Sequence, residues 1–280
     1  MYSGNVLVED GDRQAAFAPA PLPGRRVPCP PVFDRSGAVV GPSWRDFAGE
    51  WHALWRRRCR FWRDFDIAGL PTGDGHPVIV VPGFLRSDLQ TRAFRDLLRR
   101  LGYAVAGWGA GVNRGPTPVA LASLERLLRE STARFGGRAS LIGDSLGGVL
   151  VRGFAARYPE RVRRVITLCS PFRLPTASPL APVYRALSRW HSPDAADWRI
   201  WLGAPPPVPT TAIYTRRDGV VAWATCIDAP DAGSEHENIE IDGTHAAMLG
   251  HPEAIRIIAR RLARPEAGGA TVPDKAAPAR

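Results

Sequence analysis

The chain is 280 residues long, 45% hydrophobic, and carries a formal net charge of +10, enough for one large domain or two small ones. No apolar run approaches a transmembrane span. The opening MYSGNVLVED lacks the basic region and apolar core of a signal peptide, so a cytoplasmic protein is expected. The charge would ordinarily suggest nucleic acid or an anionic surface. Yet Lys275 is the only lysine, and the Ala, Gly, Pro and Arg bias is that of a GC-rich coding sequence. No nucleic-acid motif accompanies the arginines, so no nucleic-acid partner is expected. Cys29, Cys59, Cys169 and Cys226 form no C-x-x-C pair, which argues against structural zinc. In a reducing compartment, two buried thiols are favoured over a Cys169–Cys226 disulfide.

Residues 1–42 read as an irregular arm rich in proline and glycine. Residues 43–70 follow as an amphipathic segment. In SWRDFAGEWHALWRRRCRFWRDF (43–65), Trp44, Phe47, Trp51, Trp55, Cys59 and Trp62 recur at helical spacing, with arginines mostly elsewhere around the helix. This predicts one helix with a bulky aromatic face. That face either docks on the domain, the preferred expectation, or makes peripheral contact with a membrane through residues 43–65.

From residue 71 to 264 strands and helices alternate. PVIVV (77–81) reads as a strand. SDLQTRAFRDLLRRLG reads as a helix opened by a Ser87/Gln90 capping box and closed at Gly102. YAVAGW (103–108) is a strand, and TPVALASLERLLREST a helix with Thr117 as cap and Pro118 in its first position. RASLIG, RVITLC, TTAIYT and NIEID supply further strands. HPEAIRIIARRLA is the closing helix. Residues 265–280 read as a disordered tail. Apolar strands alternating with helices mean a mostly parallel sheet covered on both faces, with ligands beyond the carboxyl ends of the strands.

Gly143-Asp144-Ser145-Leu146-Gly147 sits between an apolar strand and a run with helical spacing at Val149, Leu150, Phe154 and Ala155. Strand, sharp turn and helix are the context in which G-x-S-x-G presents a nucleophile. A serine hydroxyl is a weak nucleophile and needs a base. Of six histidines, His245 follows the last strand on the carboxyl edge, where Ser145 lies. His251 begins the last helix and suits a local cap. His236 lies at the wrong edge. The base needs a carboxylate to fix its tautomer. Asp218, just beyond TTAIYT, is on the correct edge, and Asp-Gly is also a common turn pair. Asp228 is the runner-up, and Asp242 is too near His245 in sequence to orient its ring. Oxyanion donors are expected from the backbone N–H groups of Leu146 and Phe84.

The order serine, aspartate, histidine, each after a strand, resembles the α/β-hydrolase superfamily. VIVVPGF, GWGAGVNRGPT, LIGDSLGG, YTRRDGVVAW and GTHAAMLGHPEAI together resemble bacterial lipase- and esterase-like serine hydrolases, over about residues 75–263. The resemblance implies an α/β-hydrolase fold with a mostly parallel sheet, reduced to about six strands, and a small helical lid. It assigns Ser145 as nucleophile, Asp218 as acid, His245 as base, and Phe84 and Leu146 as oxyanion donors. It implies hydrolysis of a small-molecule or lipid ester with no metal or organic cofactor. The sequence departs from the pattern at Pro82-Gly83, where many lipases have His-Gly. An insertion of about residues 173–209 would form the lid, with Trp198 and Trp201 extending an apolar wall begun by Phe84 and Trp108. Acyl transfer or thioester hydrolysis would use the same machinery, and a non-catalytic lipid-binding or scaffolding protein is the alternative of another class.

Overall fold

A computed structural model describes residues 41–57, 65–193, 205–229 and 235–266. The arm to residue 40, residues 194–204 with Trp198 and Trp201, and the tail from 267 lie outside the described residues. So do Cys59, Trp62 and the side chains of Trp51 and Trp55.

Six parallel strands form one sheet: β1 (Pro77–Val81), β2 (Ala104–Gly107), β3 (Ala139–Asp144), β4 (Val162–Leu168), β5 (Thr210–Tyr214) and β6 (His236–Glu240), in the order β2-β1-β3-β4-β5-β6. Their β-branched and aliphatic runs are buried on both sides, as crossover helices require. Alternation along β1 separates the two cores. Val78 and Val80 face a layer built with Phe94, Leu98, Ile255, Ile258 and Leu262. Ile79 and Val81 face the opposite layer, with Leu124, Leu128, Leu150 and Phe154. The first layer is covered by α2 (Asp88–Arg100) and α6 (Pro252–Leu262), the second by α3 (Pro118–Phe135) and α4 (Leu146–Arg157). The helix α1 (Trp44–Arg57) precedes the sheet, and α5 (Ala181–Leu187) lies between β4 and β5.

Local chemistry sets the helix starts. Ser87 and Gln90 form the reciprocal capping box of α2, Thr117 accepts from Ala120 N–H at α3 with Pro118 following, and the His251 ring accepts from Glu253 N–H at α6. At α1, Ser43 and Asp46 bond each other's backbone N–H and share a side-chain hydrogen bond of 2.7 Å.

The two outer strands are guarded differently. β2 is four residues long, and Arg99 donates to its Val105 carbonyl at 2.8 Å. β6 (HENIE) is charged: Glu237 takes hydrogen bonds from Arg261 and Arg264, and Glu240 from Arg216 and Tyr214.

No helix among the described residues is long and apolar enough to cross a membrane.

Candidate active site

Ser145 stands between β3 and α4 with φ 50° and ψ −120°, a backbone conformation that L-residues rarely adopt and that must be held by surrounding structure. The neighbouring glycines are what hold it. A Cβ at Gly147 would come within 2.3 Å of the Val81 carbonyl oxygen, and one at Gly143 within 2.3 Å of Gly148 Cα. Strand, turn and helix therefore pack closer than any side chain permits. Ser145 N–H donates to Leu168 O at 2.8 Å, and its own carbonyl accepts from Gly148 N–H at 2.9 Å. Leu146 is the first residue of α4, so its N–H has no acceptor within the helix and lies at the positive end of the helix dipole.

His245 and Asp218 arrive from two further loops on the same edge. Asp218 follows β5 and His245 follows β6, and Nδ1 of His245 lies 2.7 Å from Oδ2 of Asp218. The other Asp218 oxygen accepts from Val220 and Val221 N–H, both at 2.8 Å. The turn reading of Asp-Gly and the carboxylate-to-histidine contact thus coexist in one residue. With its carboxylate partner, Nδ1 carries the proton, which leaves Nε2 as the basic nitrogen. Burial disfavours the charged imidazolium. The Asp218 charge and hydrogen bond, with smaller contributions from Asp144 and Glu50, outweigh it and hold the His245 pKa above the ordinary 6.5.

Ser145 and His245 line one cavity of about 240 Å³, walled mainly by apolar atoms and including Phe47, Phe84, Leu85, Leu180 and Val220. A smaller pocket of about 30 Å³ adjoins Ser145 between Phe84, Leu146 and the Pro175–Tyr184 segment. The segment after β4 covers this region. Tyr184 of α5 meets Phe84 edge-on, with ring centroids 5.7 Å apart. Downstream, the His191 ring contacts Arg114 O at 2.9 Å and Ser192 N–H donates to Pro116 O.

The loop bearing Phe84 is fixed by a buried residue that sequence reading passed over. Asn113 donates through Nδ2 to Pro82 O at 2.6 Å, while its backbone pairs with Leu85 and Arg86. Glu50 of α1 is another such residue. It is buried, and its carboxylate accepts from the backbone N–H groups of Gly219, His245 and Ala246, each at 2.9 Å. Helix α1 is therefore docked on the domain beside the site. Its signal in the sequence is an acid at Glu50, one turn from Phe47 and next to Trp51 of the aromatic stripe.

Other residues fall elsewhere. Trp108 does not wall the cavity: its side chain is 1% exposed, packs in the core with Ile79, Val81 and Leu124, and spends its Nε1–H on Gly111 O at 2.9 Å. A large apolar ring on a short strand end is better buried beneath α3 than left over a cavity. Asp228 is engaged by Arg152 in a buried bidentate pair at 2.6 and 2.9 Å, with Phe172 stacked on the guanidinium. Asp242 pairs with Arg217 at the surface. Cys169 and Cys226 are free, buried thiols. Cys169 lies within 4.8 Å of the Asp218 and His245 ligand atoms. Burial and then the Asp218 charge push its thiol well above the ordinary value, which favours the neutral thiol beside the acid–base pair.

The fold is that of the α/β-hydrolases, and solved structures of that class resemble the chain. One is from the metagenome-derived lipolytic enzymes LipS and LipT, 18% identical over 69% of this chain and 93% of that chain, with a TM-score of 0.51. Another is the monoacylglycerol lipase of Paleococcus ferrophilus, 15% identical over 69% of this chain and 96% of that chain, TM-score 0.51. A third is an esterase of Rhizomucor miehei, 14% identical over 71% and 74%, TM-score 0.52. In sequence, 84 residues are 35% identical to the homoserine O-acetyltransferase of Thermobifida fusca (strain YX), covering 28% of this chain and 21% of that enzyme. The chain thus matches about a fifth of the length of that relative. No protein-family model matches.

Proposed function

We propose that the chain is a serine carboxylic-ester hydrolase acting on apolar acyl esters. The observation that carries this reading is the strained Ser145 elbow, opening on a cavity shared with a histidine whose other ring nitrogen is held by Asp218. Ser145 Oγ attacks the ester carbonyl while His245 Nε2 takes its proton. The N–H groups of Phe84 and Leu146 receive the oxyanion, an arrangement worth about 2.7–4 kcal/mol per donor in comparable sites. The C–O bond to the alcohol then breaks, and His245 returns the proton to the leaving oxygen. Water, deprotonated by the same nitrogen, releases the acid and restores Ser145. Asp218 keeps the ring in the working tautomer and stabilises the imidazolium. An apolar cavity of about 150 Å³ accommodates benzene, so the larger space here suits a medium acyl chain.

A fluorophosphonate should label the protein on Ser145 and leave Ser145→Ala unlabelled. Wild-type protein that does not react, or labelling that survives the substitution, refutes the hydrolase reading. The match to a homoserine O-acetyltransferase favours acyl transfer as an alternative reading. The acyl-enzyme would then partition toward added homoserine in preference to water, which product analysis distinguishes.

A further inference from the structure

Resting on that hydrolase reading, we propose that Glu50 is a positioning residue that ties the Asp218 loop to the His245 loop and makes α1 an integral part of the site. The two loops come from the ends of β5 and β6 and meet at several points, among them Thr215 Oγ1 donating to Gly243 O at 3.1 Å and the Arg217–Asp242 pair. Another is the Asp218–His245 hydrogen bond itself. The Glu50 carboxylate adds a connection that bypasses the reacting side chains. Oε1 accepts from Gly219 N–H, next to Asp218, and from His245 N–H, while Oε2 accepts from Ala246 N–H. One group thereby fixes the backbone on either side of the acid–base pair, through three hydrogen bonds of 2.9 Å each.

The surroundings are shaped for this helix. A Cβ at Gly219 would lie 2.5 Å from the Asp46 carbonyl oxygen and 2.8 Å from Glu50 Cγ, so the residue after the acid must be glycine for α1 to seat. The seat also reaches the substrate space, since Phe47 and Glu50 both line the main cavity. A carboxylate that satisfies several N–H groups cannot be replaced by a carboxamide without turning its NH₂ toward at least one of them. Its charge also faces His245. The other groups facing that ring are Asp218 from the loop after β5, Asp144 from the end of β3, and the neutral thiol of Cys169 after β4, with Arg86 pairing Asp144 at 3.3 Å. Removing the Glu50 charge withdraws one of the influences that favour the imidazolium.

The test uses the full chain, a neutral nitrophenyl ester, and Glu50→Gln beside Glu50→Asp. Misplacing the base by a fraction of an ångström to an ångström should lower kcat by about 10–100-fold in both variants. KM should move far less. In Glu50→Gln the acid limb of kcat/KM should also shift to lower pH, because a negative charge has left the histidine's surroundings. In Glu50→Asp, which keeps the charge and loses the reach, the limb should stay near the wild-type position. A limb shift of this kind is not produced by general loosening, and Glu50→Asp retains an informative readout if the glutamine variant fails to fold. Either a folded Glu50→Gln with kcat within about twofold of wild type, or a limb unmoved in that variant, overturns the proposal. Fluorophosphonate labelling of wild-type Ser145 separates the two ideas. Without it the hydrolase reading falls, and with it but unchanged Glu50 variants only the positioning role falls.

Discussion

The sheet carries two serine–histidine–aspartate arrangements at opposite edges. At the carboxyl edge are Ser145, His245 and Asp218. At the amino edge, Nε2 of His76 lies 2.8 Å from Ser140 Oγ, and its Nδ1 contacts Asp74 Oδ1. By residue type the two sets match, and the amino-edge set is hydrogen-bonded throughout, whereas at the carboxyl edge Asp218 bonds His245 and Ser145 shares a cavity with it. Their settings differ. Ser140 is within strand β3, where the pairing with β4 shifts register, and has no exposure at all, whereas Ser145 is held at φ 50° beside a cavity. The amino edge also has its charges reversed. Burial, with the positive charges of Arg163 and Arg164, holds the His76 pKa below the ordinary 6.5 despite Asp74. His245, ringed by carboxylates, is pushed above that value. Three side chains in a row make a hydrogen-bond chain. Strain, access to solvent and unspent backbone N–H groups are needed before such a chain can do chemistry on a substrate.

The sharpest contrast is between the serines. Ser145→Ala should lower ester hydrolysis by on the order of 10³–10⁶-fold in kcat with the fold intact. Ser140→Ala should leave kcat within about twofold and cost about 1–3 kcal/mol of stability, since His76 Nε2 loses its buried partner. Turnover assays with thermal melts decide this, and a dead but folded Ser140→Ala would erase the distinction.

The aspartates come next. Asp218→Asn should cost on the order of 10²–10⁴-fold in kcat, less than Ser145→Ala. Asp74→Asn should act on stability alone. Burial raises the Asp74 pKa, but hydrogen bonds from His76 and Arg163 dominate and bring it down to about 2 from 3.8. A carboxylate depressed in the folded state stabilises above its unfolded pKa and loses that contribution as pH falls through the folded one. Denaturant titrations between about pH 4 and pH 2 should therefore show an acid-dependent loss in the wild type that is reduced in Asp74→Asn.

The histidines offer a smaller but cleaner separation. A base must be neutral to accept a proton, so kcat/KM for a neutral ester should rise on an ionisation above 6.5, the side to which His245 is shifted. Ring-proton titration should place His245 above and His76 below that value, and both on one side would contradict the charge contrast. The mildest effect concerns chain length. kcat/KM should rise from acetate to at least hexanoate, each methylene contributing at most about 0.8 kcal/mol, about fourfold. Leu180→Ala in the cavity wall should flatten the rise, and a preference for acetate in the wild type would contradict an acyl cavity.

What was legible in the sequence was whatever local pattern encodes. The Ser145 elbow, the caps at Ser87, Thr117 and His251, and the strand runs each declare themselves within a few residues. Strand order then puts Asp218 and His245 on one edge, which made their meeting readable without a structure. Long-range choices were hidden. Nothing in the neighbourhood of Glu50 says that its partners are 169 to 196 residues away, although an acid between Phe47 and Trp51 of an aromatic stripe is a clue. Trp108 follows β2 on the correct edge, yet α3 covers the ring. By position in the chain Asp228 rivals Asp218, and only the fold shows that Arg152, a buried arginine on α4, occupies it.

The unequal ends of the sheet bear on how this chain behaves at high concentration. An outer strand displays unpaired amides and carbonyls to any passing copy, and long flat apolar edges are templates for aggregation. On the β2 side an incoming strand finds four residues, with Val105 O already taken by Arg99. On the β6 side it would have to lie along Glu237 and Glu240 and disturb their arginine and tyrosine partners. Neither end welcomes a further strand. The ion pairs of β6 thus act as a colloidal safeguard, and one that rising salt would weaken first.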